Sequence, residues 1–178
     1  ATKAPMLRRA VVLTEDAAPA TASLVLTVIG PDRPGIVSLI ADRAQRFGAS
    51  WTDSRMANLA GEFAGMVHFD VPPENLDPLA AALQGLESSG LRVTLTKTRA
   101  AGASPLRGVA IELVGDDRVG IVSQLTRMLA ERDVSIEYLH TELVHGAAPG
   151  GKKTFKVNAH LQMPKTLAVD DLQRDLGT

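Results

Sequence analysis

The sequence predicts an α+β protein built from two copies of one β-α-β-β-α-β unit. Residues 30–38 read GPDRPGIVS and residues 115–123 read GDDRVGIVS, so seven of nine positions recur at an offset of 85 residues. Each motif follows an apolar run of strand length and precedes apolar residues at helical spacing. Recurrence of a whole strand–turn–helix pattern indicates a duplicated domain.

The first copy starts with the run Leu24–Ile29, which is apolar on both faces and is therefore predicted as a central strand. Apolar residues at 36, 39, 40 and 47 then fall at helical spacing, and Gly48 ends that helix. Residues 49–59 and 62–71 are predicted strands, joined at a hairpin near Ala60 and Gly61.

A second helix is predicted after Pro72 and Pro73, with Gly90 as its stop. Its leucines, at 76, 79, 83 and 86, share one side, and residues 91–95 then alternate as a last strand. The element order is that of the split-βαβ, or ferredoxin-like, fold, in which an antiparallel sheet carries its helices on one face.

The second copy repeats this pattern up to its second helix. Strands are predicted at 109–114, 134–145 and 154–163, with a helix at 120–132, a glycine-rich hairpin loop at 146–152 and a helix from Val169. No closing strand follows, so we expect the C-terminal part of this copy to be incomplete or its sheet edge to be covered otherwise.

The domain bounds follow from these elements. Residues 1–22 are predicted as a mobile N-terminal arm or an added edge strand, and residues 23–98 as the first domain. Residues 99–107 are predicted as a linker, and residues 108–178 as the second domain.

Composition narrows the classes of function. A net charge of −1 argues against direct nucleic-acid binding, which normally shows as a basic excess. The chain has no cysteine, which excludes disulfides and thiolate metal sites and fits a reducing cytoplasm. No apolar run reaches the length of a membrane span.

The turn at 30–38 joins a buried strand to a helix, which is where ligands commonly dock in α/β sheets. The helix start offers backbone N–H groups and a positive dipole end to a carboxylate or phosphate. Gly35 would let a ligand approach the backbone, and Pro34 fits the first helical position. Asp32 can accept a hydrogen bond from an ammonium and Arg33 can pair with a carboxylate, which together suit a free amino acid.

A purely structural interpretation of the same turn stays open. Glycine, proline and aspartate form turns in their own right, Asp32 can cap the helix, and Arg33 can be a solvated charge. The turn lacks the phosphate-loop and dinucleotide-binding patterns, and no catalytic constellation or cofactor motif is found. His140 and Glu142 would face opposite to His145 on one strand, which disfavours a metal site there.

The strand, the GPDRPGIV turn and the helix resemble the ACT domain, a small ligand-sensing module with this element order. The stretch Asp53–Phe63 (DSRMANLAGEF) is similar to the second strand and hairpin of one ACT subfamily. Two such units without an attached enzyme resemble the glycine cleavage system transcriptional repressor family, over about residues 24–163.

The resemblance implies a cytoplasmic regulator that is not an enzyme and has no cofactor. It implies that this regulator binds a small amino acid, with glycine as the leading candidate, and controls transcription through a LysR-type activator. It also implies pairing of ACT sheets, within the chain or between two chains as a homodimer. The ligand positions it implies are Gly30, Asp32, Arg33, Pro34, Gly35, Ile36 and Ser38.

The equivalent positions of the second copy are the weaker prediction, because Val119 replaces Pro34 and Asp116 replaces Pro31. They are Gly115, Asp117, Arg118, Gly120 and Ile121. Two alternatives remain open, namely an ACT interaction or oligomerisation module without its own ligand, and a regulatory subunit of an amino-acid metabolic enzyme.

Overall fold

The computed structural model describes residues 21–98, 106–145 and 153–176, and the chain divides into two compact units, residues 1–100 and 101–178. The first unit follows the predicted β-α-β-β-α-β order. Its elements are β1 (Ala22–Pro31), α1 (Ile36–Arg46), β2 (Ser50–Leu59), β3 (Glu62–Val71), α2 (Leu76–Gln84) and β4 (Arg92–Thr98). Short 3-10 helices at Pro73–Asn75 and Gly85–Ser89 flank α2.

The first sheet is antiparallel, with the strand order β2-β3-β1-β4. Its register shifts once, at a β-bulge between Trp51 and Asp53 on the edge strand β2. The bulge residue Thr52 places its hydroxyl 2.7 Å from His68 Nδ1 and donates to the His68 carbonyl at 3.0 Å. The edge strand is thereby tied to β3 where the ladder is interrupted.

The first core lies between one face of this sheet and the two helices. Leu24, Leu26 and Val28 alternate inward from β1, as a strand period of two requires. The predicted leucine stripe of the second helix is buried at Leu79, Leu83 and Leu86. At 25 cal/mol per Å², burying each such leucine contributes about 1.5–3 kcal/mol.

The second unit repeats the architecture as far as it is described. Its elements are β5 (Leu106–Asp116), α3 (Ile121–Ala130), β6 (Ser135–His145), β7 (Lys153–Pro164) and α4 (Val169–Leu176). The strands form an antiparallel sheet of order β5-β7-β6, again with a bulge on the edge strand, between Ile136 and Tyr138. A separate core forms around Leu125, Leu129 and Leu161.

The predicted fold class is confirmed, with two ferredoxin-like units in tandem and antiparallel sheets. The first unit has all four strands, and the described part of the second has three. The predicted hairpin loop 146–152, the arm up to residue 20 and most of the linker lie outside the described residues.

Candidate functional site

The turn after β1 enters α1 through a glycine in the left-handed backbone region. Gly35 has a φ of 93° and stands directly before the first helical residue, Ile36. Its carbonyl accepts the Leu39 N–H at 2.9 Å, and a Cβ added to Gly35 would meet no heavy atom within 4 Å. The start of α1 therefore presents backbone N–H groups and a positive dipole end beneath open space.

Pro34 does not hold the first helical position that the sequence predicted for it. Gly35 separates Pro34 from the helix, which begins at Ile36. A left-handed residue cannot be the first residue of an α-helix, because it carries the wrong sign of φ. Pro34 lies in the turn instead, where its ring restricts the backbone that leads into Gly35.

Asp32 is bound to the β2–β3 hairpin, and no side chain caps α1. The Asp32 backbone N–H donates to the Gly61 carbonyl at 2.9 Å. The side-chain amide of Asn58 donates to the Asp32 carboxylate. An exposed carboxylate is thus held in a fixed orientation in the same turn as Gly35.

Asn58 is a site residue that the sequence did not reveal. It lies 26 residues after Asp32 and reaches it because Asn58 and Gly30 both pair with Phe63, across three neighbouring strands. Only the register of the β2–β3 hairpin gives this juxtaposition. An asparagine at the end of a predicted edge strand, beside a turn acid, is the signal that could have indicated it.

Arg33 already has a partner within the chain. One of its guanidinium nitrogens donates to the Ser89 carbonyl at 2.6 Å, at the end of the 3-10 helix that precedes Gly90. The cation thus satisfies a helix-end carbonyl. A ligand carboxylate would have to compete for it or use its remaining N–H groups.

The remaining predicted residues of the first copy divide into packing and surface positions. A Cβ on Gly30 would lie 2.9 Å from Leu91 Cδ2 and 3.1 Å from the Gly90 carbonyl oxygen, so a larger residue there would be crowded by packed atoms. Ile36 is buried in the core, whereas Ser38 is exposed on the first turn of α1. The structure therefore joins Asp32 to Asn58, and Gly35 and Ser38 lie three and six residues after Asp32 in the same strand–turn–helix segment.

Asp53 lies near the start of β2 and is held by two hydrogen bonds that shift the pKa of its carboxyl group. Its carboxylate accepts from Arg55 at 2.5 Å and from the Ser54 N–H at 2.7 Å. The hydrogen bond from Arg55, followed by that from Ser54, lowers the pKa of Asp53 below its ordinary value. Its ion pair with Arg55 is fully exposed, so it orients two surface groups without building a site.

The turn of the second copy has the same backbone and different partners. Gly120 has a φ of 88°, matching Gly35, and precedes Ile121. Arg118 donates to the Gln124 side chain at 2.7 Å, and its carbonyl accepts the Ile121 N–H at 3.3 Å. This second bond occupies a helix-start donor, and the equivalent residues Ile36 and Arg33 make no such bond to each other.

The hairpin residue facing the second turn is apolar. Gly115 and Leu143 both pair with Phe155, as Gly30 and Asn58 pair with Phe63, so Leu143 stands where the first copy has Asn58. A leucine cannot donate to Asp117. Among the residues that the structure describes, the polar clamp found at Asp32 is thus not reproduced in the second copy.

A cavity of about 410 Å³ lies beside Gly115 in the second unit. Its lining includes Arg118, Leu125, Phe155 and Leu176. In the first unit the space next to the equivalent glycine, Gly30, is filled by Leu91, the residue that leads into β4. The cavity therefore corresponds to core volume that the fourth strand fills in the first unit, and we do not assign it as the ligand site.

Comparison with known proteins places these features in a family. The family model of the ACT domain matches residues 22–95. The first unit is thus similar to the ACT domain over those residues. The match runs from the start of β1 to Leu95 within β4 and includes the Gly30–Ser38 turn and Asn58. The second unit, which lies outside the match, repeats the same element order as far as it is described.

Two solved structures resemble nearly the whole chain. An unknown protein from Galdieria sulphuraria is 25% identical with a TM-score of 0.73, and the match covers 89% of this chain and 88% of that one. A candidate glycine cleavage system transcriptional repressor is 21% identical with a TM-score of 0.65, covering 88% and 89%. The second likeness shows a shared fold. Curated protein sequences give no match.

Within the described residues, no helix is long and apolar enough to cross a membrane. Over the same residues, no cluster of three or more histidine or carboxylate side chains is placed to hold a metal ion.

Proposed function

We propose that this protein is a non-enzymatic regulator that controls transcription through a protein partner. Its first ACT domain binds a small amino acid, and glycine is the leading candidate. The observation that carries the proposal is the clamp between Asn58 and Asp32 in the turn that also holds the open Gly35. The family match, the helix start and the lack of such a clamp in the second copy support it.

The turn offers complementary partners to both ends of an amino acid. A ligand carboxylate suits the N–H groups and the positive dipole at the start of α1. A ligand ammonium suits the carboxylate of Asp32, which Asn58 holds in place. We expect the helix start to take the carboxylate, because Arg33 is engaged with Ser89.

The turn is exposed, which favours a small ligand. Pro31, Asp32, Arg33, Pro34 and Gly35 are all exposed, so this turn offers a ligand an open surface. A ligand with few atoms gains enough from charged hydrogen bonds at such a surface, whereas a large side chain would stay in water. Glycine is therefore the first ligand to test.

Calorimetry of the full chain against the twenty amino acids at millimolar concentration tests the ligand. We expect glycine to bind, and Asn58→Leu, which copies Leu143 of the second unit, to weaken binding about tenfold or more, since a charge-assisted network is lost. Asp117→Asn is the matched control in the second copy and should leave binding unchanged. No heat with any amino acid, or equal loss in both variants, would contradict the proposal.

The partner is tested separately. We expect a LysR-type activator to co-migrate with this protein in size-exclusion chromatography, with an affinity that changes when glycine is added. The protein alone should not shift DNA, given its net charge of −1. Partner binding that glycine does not alter would separate the transcriptional role from the sensing role.

A second candidate is an interaction module without a ligand. The contact of Arg33 with the Ser89 carbonyl favours it, because this predicted partner of a ligand carboxylate is already hydrogen-bonded within the chain. It predicts partner capture or dimerisation that is identical with and without glycine. A detached regulatory subunit of an amino-acid metabolic enzyme would instead bind that enzyme.

A further inference from the structure

Two cavities lie side by side along β5 in the second unit. The first has a volume of about 410 Å³ and is lined by Leu113 and Gly115, and the second has about 370 Å³ and is lined by Val109 and Leu113. Leu176 of α4 borders both. In the described part of the sheet β5 pairs with β7 on one side only, so its other backbone edge is open next to the cavities. We call this combination of open edge and cavities the β5 groove.

The first unit shows which kind of segment occupies the equivalent space. There β1 is paired on both sides, and the strand on its second side is β4. Leu91 and Val93 are buried in the first core, and Leu95 packs against it. These residues alternate along the chain, so all three point to the helix-bearing face. In the first unit this space is therefore filled by a strand with large apolar residues at alternate positions.

The register of β1 with β4 maps these three side chains onto the β5 groove. The residues of β1 that face them are Gly30, Val28 and Leu26. Their counterparts at the repeat offset of 85 residues, which all line the groove, are Gly115, Leu113 and Ile111. Val28 and Leu26 are fully buried, whereas their two counterparts are only partly buried. The groove thus exposes apolar surface at the places that β4 covers in the first unit.

The groove also keeps the acid to which β4 is bound in the first unit. Lys97, two residues after the last of the three apolar residues, donates to the Asp77 carboxylate at 2.7 Å. Asp77 is the second residue of α2, and Asp170 is the second residue of α4. Each helix buries the leucine two residues after this acid, Leu79 and Leu172, which supports the equivalence. Asp170 is exposed and forms no ion pair with any described residue, so it can accept a cation from a docked strand.

We propose that the β5 groove binds an extended peptide segment of a partner protein, which adds to β5 as a fourth antiparallel strand. The segment carries three large apolar residues at alternate positions and a lysine or arginine two positions after the last of them. The apolar residues fill the two cavities, and the basic residue pairs with Asp170. Main-chain hydrogen bonds to β5 supply affinity, and the cavities select the side chains. Amino-acid binding at the first unit is not required.

Fluorescence anisotropy of a labelled peptide with the sequence of residues 91–98 (LRVTLTKT) tests binding to the full chain. We expect saturable binding below about 1 mM peptide. The control peptide has the same composition with its three apolar residues consecutive, so they cannot all point to one face of a strand. It should bind about tenfold more weakly or less. Equal affinities for the two peptides, or no binding of the first, would overturn the proposal.

Gly115→Leu places a side chain in the groove itself. A Cβ on Gly115 would meet its nearest atom, Ile121 Cδ1, at 3.7 Å, so there is room for it. The added leucine takes the space of the first apolar residue of the peptide, and we expect the affinity to fall about tenfold or more. Glu142→Leu, at an exposed position of β6, is the control and should bind the peptide as wild type does. A Gly115→Leu protein that is folded by circular dichroism and binds as tightly as wild type would contradict the proposal.

A charge swap tests the contact with Asp170. Asp170→Lys should weaken the peptide about fivefold, since an exposed attraction becomes a repulsion. A peptide with glutamate in place of its lysine should bind this variant about as tightly as the original peptide binds wild type. Asp171→Lys is the matched control, because Asp171 is already paired with Arg174 at 3.2 Å, and it should change the affinity less than about twofold. A loss that the glutamate peptide does not reverse would contradict the pairing.

Hydrogen exchange locates the added strand. Saturating peptide should slow amide exchange in β5 about tenfold or more and leave β6 unchanged, because only β5 gains hydrogen bonds. Protection confined to β6 or to the first unit would place the peptide elsewhere and overturn the proposal. A chain that forms a dimer with β5 protected before peptide is added would make a second copy the occupant, which also overturns it. Failure of glycine to bind would bear on the proposed function and leave this proposal intact.

Discussion

Residues that are identical in the two turns differ in how tightly their neighbours pack against them. Gly30 and Gly115 are equivalent in the repeat, but only Gly30 is pressed against Leu91 and the Gly90 carbonyl. A Cβ on Gly115 would meet its nearest atom, Ile121 Cδ1, at an ordinary 3.7 Å. The repeat therefore keeps glycine at both positions, but only the neighbours of Gly30 leave little room for a side chain.

Gly30→Ala should destabilise the first unit, while Gly115→Ala should slightly stabilise the second. The first Cβ overlaps packed atoms, which costs about 1–3 kcal/mol of unfolding free energy. The second removes a glycine from a strand interior, which is worth roughly 0.5–1 kcal/mol in favour of alanine. Denaturant unfolding followed by far-UV circular dichroism measures both, and equal losses would contradict the assignment of Gly30 to packing.

At the scale of elements, periodicity predicted nearly all of the fold. The apolar run Leu24–Ile29 predicted a central strand, and the structure places β1 between β3 and β4. The leucine spacing of the second helix predicted a buried face, and Leu79 and Leu83 are buried in α2. The helix start was misplaced, because a proline beside a glycine fits either a first helical turn or a left-handed entry. Asn58 and both bulges were missed, because they depend on hairpin register, which local pattern does not fix.

The bulge on β2 should depend on the Thr52 hydroxyl. Thr52→Val keeps the shape but removes the two contacts to His68, at 2.7 and 3.0 Å. We expect a loss of about 0.5–1.5 kcal/mol in the unfolding free energy of the first unit. The single tryptophan, Trp51, packs edge-on against Phe69 and reports this unit by fluorescence. Thr94→Val, on the exposed open face of β4, is the control. Equal midpoints for both variants would show that the bulge holds without the hydroxyl.

The whole molecule contains one turn motif twice, and the two domains that carry it differ in the residues facing the turn. The first copy has a polar clamp beside its turn, and the second has Leu143 at the corresponding place. Such divergence after duplication fits the proposal that the first domain, rather than the second, binds the small ligand. Sequence alone showed that the copies differ at Pro34 and Val119, and the registers show that the larger difference lies on the opposing hairpin.

In the described part of the chain, each unit has its own hydrophobic cluster. Phe69 and Leu161 hold equivalent places, opposite Leu24 and Val109, and both are fully buried. Phe69→Ala should therefore lower the unfolding free energy of the first unit, followed by Trp51 fluorescence, by about 3–5 kcal/mol. Leu161→Ala should leave that unfolding free energy unchanged. Leu161→Ala should instead lower the unfolding free energy of the second unit by about 2–5 kcal/mol. The near-ultraviolet signal of the single tyrosine, Tyr138, follows the unfolding of that unit. Displacement of both transitions by either variant would show that the two cores unfold as one cooperative system.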